Sequence, residues 1–366
     1  MSAAAPGAPG APDATDAVEA GLASLRARLA PVAPALRWIG ALLGAFIIFS
    51  ILLAMKGADP VATYQGMFAS TFQRQRSLEE IVVQMTPLIL GALAVAVPAR
   101  AGLTNVGGEG QIIIGAVAAC GAFLLLGDDA APGLLLVAML LAAAVAGALW
   151  AGIAAAMRLV TGVNEAISTL LLNFVALDVL LFLIYQPWRE NPVGQPTTRE
   201  LADPAKLSVL SGTRINIGII VALVAVVVVA YLLNRTRWGF RISVAGGNAE
   251  AARRAGLKVW VLVLSALMIG GALAGLAGMI QFAGVEYKLR PGFGAQLGYT
   301  AFLACWLARH RPAFIVVAAF VFASLSVAGD SLQLDSGLPA ASVNVLTALI
   351  LVAVLGFTAT RKKASA

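Results

Sequence analysis

The chain is 366 residues long, 60% hydrophobic and only 12% charged, with a formal net charge of +7. A soluble chain of this length carries about twice that charged fraction. Long apolar runs therefore point to one all-α polytopic membrane domain instead of several soluble ones. The runs are continuous, not alternating, which argues against a β-barrel. No basic, aromatic-studded soluble domain is present, so nucleic acid has no support as a partner.

Residues 1–35, beginning SAAAPGAPGAPDATDA after the first Met, are rich in Ala, Pro and Gly and read as a disordered cytoplasmic tail. They lack the basic start and immediate apolar core of a cleaved signal, so the first helix, from near Arg37, is expected to act as an uncleaved anchor. Ten membrane segments are predicted, at 38–55, 81–99, 107–126, 133–156, 165–184, 215–233, 259–282, 296–308, 313–328 and 339–358. They define a transmembrane domain at 36–360, followed by a cytoplasmic tail at 361–366. The runs at 296–308 and 313–328 are short for full spans, and either could be a broken or re-entrant helix. Pro87 and Pro98 suggest a kink or break in the second segment. Cys120 and Cys305 lie inside apolar runs and read as small core residues. His310, between Arg309 and Arg311, reads as a surface residue of a turn.

Charge sets the orientation. With a cytoplasmic N-terminus, 16 of the 25 Lys+Arg fall inside against four acids, while 11 acids fall outside. Both termini are then cytoplasmic. The Pro-rich loop 185–214 lies outside, and the basic loop 234–258 lies inside. Ten segments divide into two sets of five, and an odd number per half inverts one half relative to the other. LILGALAVAVPARAGL and ALMIGGALAGLAGMIQ show faint self-similarity in keeping with this.

Polar residues concentrate at three places. LTNVGGEGQIII, residues 103–114, lacks the lysine of a phosphate-binding loop and opens a helix instead. Asn105, Glu109 and Gln111 either line a gate or form a polar packing junction, with Glu109 favoured by the helix dipole. In VNEAISTLLLNF, Asn164 caps a helix, and Glu165, Thr169 and Asn173 share one face. Thr169 and Asn173 are the deeper pathway candidates. GGNAEAARRAGLKV reads as a Gly turn at Gly246, a cap at Asn248, a short helix with Glu250 early and Arg253 and Arg254 late, and a stop at Gly256. That helix either docks a cytoplasmic protein or meets anionic membrane lipid. Gly271 and Gly275 form a small-xxx-small face for helix packing.

The same loop resembles the cytoplasmic loop of permeases of simple-sugar and nucleoside ATP-binding-cassette (ABC) importers, through Gly246, Asn248, Ala251, Ala252 and Gly256. RAGLTNVGGEGQIIIGAVAA and GVNEAISTLLLNFVA resemble signatures of the nucleoside branch, and the likeness covers roughly residues 80–358. It implies a permease of the cytoplasmic (inner) membrane. Its partners would be ABC ATPase subunits that bind ATP and Mg, a second and different permease chain, and an extracytoplasmic substrate-binding protein. The implied substrate is a nucleoside. Alternatives are simple sugars or branched-chain amino acids on the same architecture, or an ion-coupled secondary transporter. The chain has no Gly-x-x-x-x-Gly-Lys-[Ser/Thr] loop, so it is expected to hold no cofactor and to have no catalytic activity.

Overall fold

The computed structural model describes residues 33–336, with 345–346 and 348–349. Nearly all of the expected N-terminal tail, the C-terminal tail and most of the tenth predicted segment lie outside the described residues. The chain divides into two units, Met1–Pro60 with Asn344–Ala366, and Val61–Val343. The first contains α1 (Ala33–Met55). The second contains α2 (Pro60–Phe72, apart from its first residue), α3 (Gln75–Arg100), α4 (Gly108–Leu126), α5 (Pro132–Thr161) and α6 (Glu165–Tyr185). It continues with α7 (Gly218–Arg235), α8 (Arg237–Gly247), α9 (Ala249–Arg254), α10 (Val259–Gln281), α11 (Leu297–Leu307) and α12 (Pro312–Ser336).

Seven described helices are long and apolar enough to cross a membrane: α3 to α7, α10 and α12; an eighth arises if α1 and α2 count as one broken span. The expected ten are not reached among the described residues. The segment predicted at 296–308 is α11, whose 11 residues rise only about 16 Å, half of a bilayer core. The segment predicted at 313–328 is instead a 25-residue helix. Two helices were missed. In α2, Thr63, Met67, Ser70 and Thr71 are the buried face, too polar to register as a span. In α8 the glycines and arginines read as loop. The expected break in the second segment is also absent: α3 runs unbroken through Pro87 and Pro98.

Burial explains why α3 tolerates its prolines. From Met85 to Pro98 it is buried on every side, as expected of a helix apolar all round, so packing keeps it helical through both prolines. By contrast α5 is two-faced. Leu135, Met139, Ala143, Gly147 and Ala151 point inward, while Leu134, Val137, Leu141, Val145 and Leu149 are exposed. A stripe of that size on a membrane helix needs cover from lipid or a neighbouring chain. The helix stops at Gly162, a left-handed residue whose N–H donates to Arg158 O at 3.1 Å.

At the centre, α10 packs on α3, α4 and α5. Its expected small-residue face is where the backbones meet: a side chain on Gly271 would collide with the Gly147 carbonyl, and one on Gly275 with the Ala143 carbonyl. Past Gln281 it widens into one turn with i→i+5 geometry, Phe282–Glu286, closed by Tyr287 N–H on Phe282 O at 2.8 Å. The 185–214 loop folds onto this turn: Leu201 N–H reaches Tyr287 O at 2.8 Å, and Leu207 N–H reaches Ala283 O at 2.8 Å.

Both cysteines are free and buried. His310 lies in the expected turn, half-buried there. Its ring packs edge-on against Trp306, and its Nδ1 lies 3.1 Å from Cys305 Sγ. Burial lowers its pKa below the usual imidazole value.

Gly275→Val should abolish recovery of folded protein, because backbone cannot move aside for it. Gly152→Ala, whose methyl would meet only flexible Met268 Cγ at 3.5 Å, should melt within about 2 °C of the native chain. Thermal unfolding of the two variants in detergent measures both.

Candidate functional site

The polar residues singled out in the sequence converge at the end of the bundle where α3 ends and α4 and α6 begin. The connection from Arg100 to Gly107 is buried at every second residue from Ala101 to Gly107, and its buried backbone must be satisfied by protein. Helix α6 does this from one face. Glu165 Oε1 accepts from Thr104 N–H at 2.9 Å, Thr169 Oγ1 from Val106 N–H at 3.2 Å, and Asn173 Oδ1 from Gly110 N–H at 2.8 Å. Asn173 Nδ2 donates back to Val106 O at 3.0 Å and to Tyr299 Oη at 3.3 Å. Glu165, Thr169 and Asn173 are all buried, and Arg158 at the end of α5 forms an ion pair with Glu165. Asn164 caps α6, accepting from Ala166 N–H at 2.8 Å.

Asn105 and Gln111 form a reciprocal amide pair, 3.0 Å in each direction. Asn105 Oδ1 also accepts from Gly107 N–H at 3.0 Å. Its Nδ2 donates to Ala94 O at 3.3 Å, the carbonyl left free because Pro98 has no N–H to give it. The α3 proline and the loop asparagine thus complete each other.

Glu109 turns the other way. Its carboxylate accepts from Gln296 N–H and Gly298 N–H, both at 2.7 Å. Those are free donors at the start of α11. Glu109 also sits in the first turn of its own helix, so one carboxylate faces two positive helix ends. The two ends touch at Gly298, where any side chain would collide with Glu109 backbone.

On the same end of the bundle, α8 and α9 form the connecting loop. Thr236 Oγ1 accepts from Gly239 N–H at 3.1 Å to start α8. Asn248 Oδ1 accepts from Ala251 N–H at 2.9 Å to start α9, and Gly256, at φ +80°, ends it. Ala252 is buried, while Ala251, Glu250, Arg253 and Arg254 are exposed. Glu250 pairs with Arg253 at 3.5 Å and with Arg254 at 3.2 Å. Gly246 lies against the α3 turn: a methyl there would be 2.6 Å from Arg100 O and 2.7 Å from Gly102 N. A cavity beside it is lined by Arg158, Asn164, Gly246, Arg253, Lys258 and Trp260, so it reaches from α9 to the Glu165 ion pair.

Sequence reasoning therefore found the members of this junction but missed several partners. Arg158 and the α11 start at Gln296–Tyr299 carry only weak local signals. Their roles depend on contacts between residues far apart in the chain.

Residues 77–355 match the family model described as branched-chain amino acid transport system / permease component. The chain belongs to this family. It is 36% identical, over 85% of its length and 84% of the relative's, to a glucose ABC transporter permease protein of Haloferax volcanii. It is 28% identical to a guanosine ABC transporter permease protein of Bacillus subtilis, covering 82% of this chain and 87% of that one. A nucleoside ABC transporter permease protein of Lactococcus lactis is 29% identical over 85% and 88%. The permease is thus the membrane-embedded component of an ABC-type importer, a multi-pass membrane protein and a transport subunit with no enzymatic activity of its own.

Glu109→Ala should destabilise the permease by ~1–3 kcal/mol, because two charge-assisted bonds are lost and the α11 start is left without acceptors. Asn173→Leu should cost a similar amount by orphaning Gly110 N–H and Val106 O. Denaturant melts of single and double variants read both effects, and near-additive losses would refute a shared network through Tyr299.

Proposed function

We propose that this permease imports simple sugars. The observation carrying this reading is the identity to the glucose permease relative, higher than to the nucleoside relatives over equal coverage. Nucleosides are the second reading. The two nucleoside-type relatives and the RAGLTNVGGEGQ and GVNEAISTLLLN stretches favour it.

The working complex would pair this chain with a second permease chain and with ATPase subunits that bind ATP and Mg. An extracytoplasmic binding protein would deliver substrate to the face bearing the 185–214 loop. Both termini and the 234–258 loop would be cytoplasmic, with tails at 1–35 and 361–366 flanking a membrane domain at 36–360. In support of inverted halves, the two similar stretches lie on α3 and α10. The first of these helices ends, and the second begins, at the end of the bundle that carries α8 and α9.

Helix α9, within Gly246–Gly256, would be the ATPase contact. Support comes from its exposure, its cap and the seat of Gly246, just before it at the end of α8, against the Arg100–Gly102 turn. Asn105, Glu109, Gln111, Asn164, Glu165, Thr169 and Asn173 would brace the inner gate. Domain rocking would then pass through this brace to α4, α6 and α11.

Reconstituted with its partner subunits in vesicles, the permease should take up labelled glucose in an ATP-dependent manner, and excess guanosine should not compete. Uptake of guanosine blocked by other nucleosides but not by glucose would replace the sugar reading with the nucleoside one. Uptake without any ATPase would sink both.

For α9, Arg253→Glu with Arg254→Glu should abolish ATPase co-purification while leaving membrane insertion intact. Undiminished co-purification would remove α9 as the contact.

A further inference from the structure

We propose that α8 and the adjacent end of α7 hold an anionic phospholipid, with its headgroup on Arg235, Arg237 and Arg241. The inference goes beyond the transport reading and does not depend on the substrate.

The charge pattern of the loop is the starting point. Glu250 is the only acid between Asp203 and Glu286, and it is already committed to Arg253 and Arg254. Arg235, Arg237 and Arg241 are exposed, and none has an ion-pair partner among the described residues. Arg100, donating to Asn234 Oδ1 at 3.3 Å, adds a fourth cation beside them. The two helices of one loop therefore differ: α9 carries an acid paired with both of its arginines, and α8 carries none.

The position of these arginines sharpens the point. Arg237 occupies the first turn of an 11-residue helix with no acid in that turn. A cation there opposes the helix dipole, so an external anion would relieve both the arginines and the helix end. Asn234, Arg235, Thr236, Arg237, Phe240 and Arg241 line one open groove.

Apolar groups select a lipid over a small phosphate. The inner face of α8 is spent: Ile242 and Ala245 are buried, and Trp238 Nε1 donates to Ser265 Oγ at 3.1 Å. On the outer face Phe240 is 69% exposed between Arg237 and Arg241. Leading away from it along α7, Val224, Val227, Val228 and Tyr231 are all exposed, at i, i+3, i+4 and i+7 on one side of a membrane span. This is a wall for an acyl chain beneath a basic seat for a headgroup. Since α7 ends at Arg235, the seat falls at the interface, where phosphates reside.

The test uses the full permease co-purified with its partner subunits, in nanodiscs of phosphatidylcholine doped with phosphatidylglycerol, with bound lipid read by native mass spectrometry. The native protein should retain phosphatidylglycerol preferentially. Arg235→Gln/Arg237→Gln/Arg241→Gln should weaken that retention by roughly a hundredfold, from three surface cations. The corresponding triple Lys variant should keep most of it. Glycerol phosphate in solution should not displace the lipid. No phosphatidylglycerol preference in the native protein would overturn the proposal, a readout independent of whether the Gln variant folds. So would unchanged retention in the Gln variant, or displacement by glycerol phosphate. Loss of ATPase co-purification with lipid retention intact would assign the face to an acidic protein surface and overturn it equally.

Discussion

A single carboxylate placed between two helix ends organises this permease. Helices α4 and α11 begin against each other, close enough that Gly298 tolerates no side chain. Two positive helix ends in such contact repel, and each leaves backbone donors without acceptors. Glu109 answers both problems, since it lies in the first turn of α4 and accepts the first donors of α11. Removing a carboxylate from water costs several kcal/mol when it is unpaired. Two short backbone bonds and two dipoles offset part of that cost at the start of α4. The arrangement also explains how the 11-residue α11 is started: its first donors are capped by a carboxylate of the protein.

The connection from Arg100 to Gly107 transmits this constraint to the loop helices. Gly102 N–H is held by Ala99 O, Leu103 N–H by Pro98 O, Thr104 N–H by Glu165 and Val106 N–H by Thr169. A segment bonded at successive residues moves as a body or not at all. Gly246 of α8 sits against the start of that segment, and the Arg158–Glu165 ion pair borders the cavity that Arg253 of α9 lines from the other side. From this segment the bonds run into α6 and, through Asn173 and Tyr299, into α11.

Much of this was legible beforehand. Asn164 and Asn248 announce caps because their side chains mimic a backbone acceptor. Gly256 announces a stop, and the Gly271/Gly275 spacing announces close packing. The shared face of Glu165, Thr169 and Asn173 follows from helical periodicity alone. What was not legible depends on partners elsewhere in the chain. Nothing near Glu109 says that its acceptors serve residues near 296. Pro87 and Pro98 read as breaks because local rules count only the lost bond, whereas burial along α3 and the amide of Asn105 compensate in three dimensions. Helices α2 and α8 escaped because a half-polar helix at an interface has neither the hydropathy of a span nor the composition of a soluble helix.

Saturation of the junction bears on where substrate selectivity arises. Asn105 uses both amide protons and accepts two bonds. Asn173 uses both of its protons and accepts from Gly110. A sugar hydroxyl could bond the Asn105 amide only by displacing one of its four bonds, at a cost of about 1–3 kcal/mol for a partner left unpaired. Binding energy of that size is more than one hydroxyl returns. The bonds that make Asn105 conspicuous in an apolar sequence are taken up within the protein, where they fix α3 and α4 against each other.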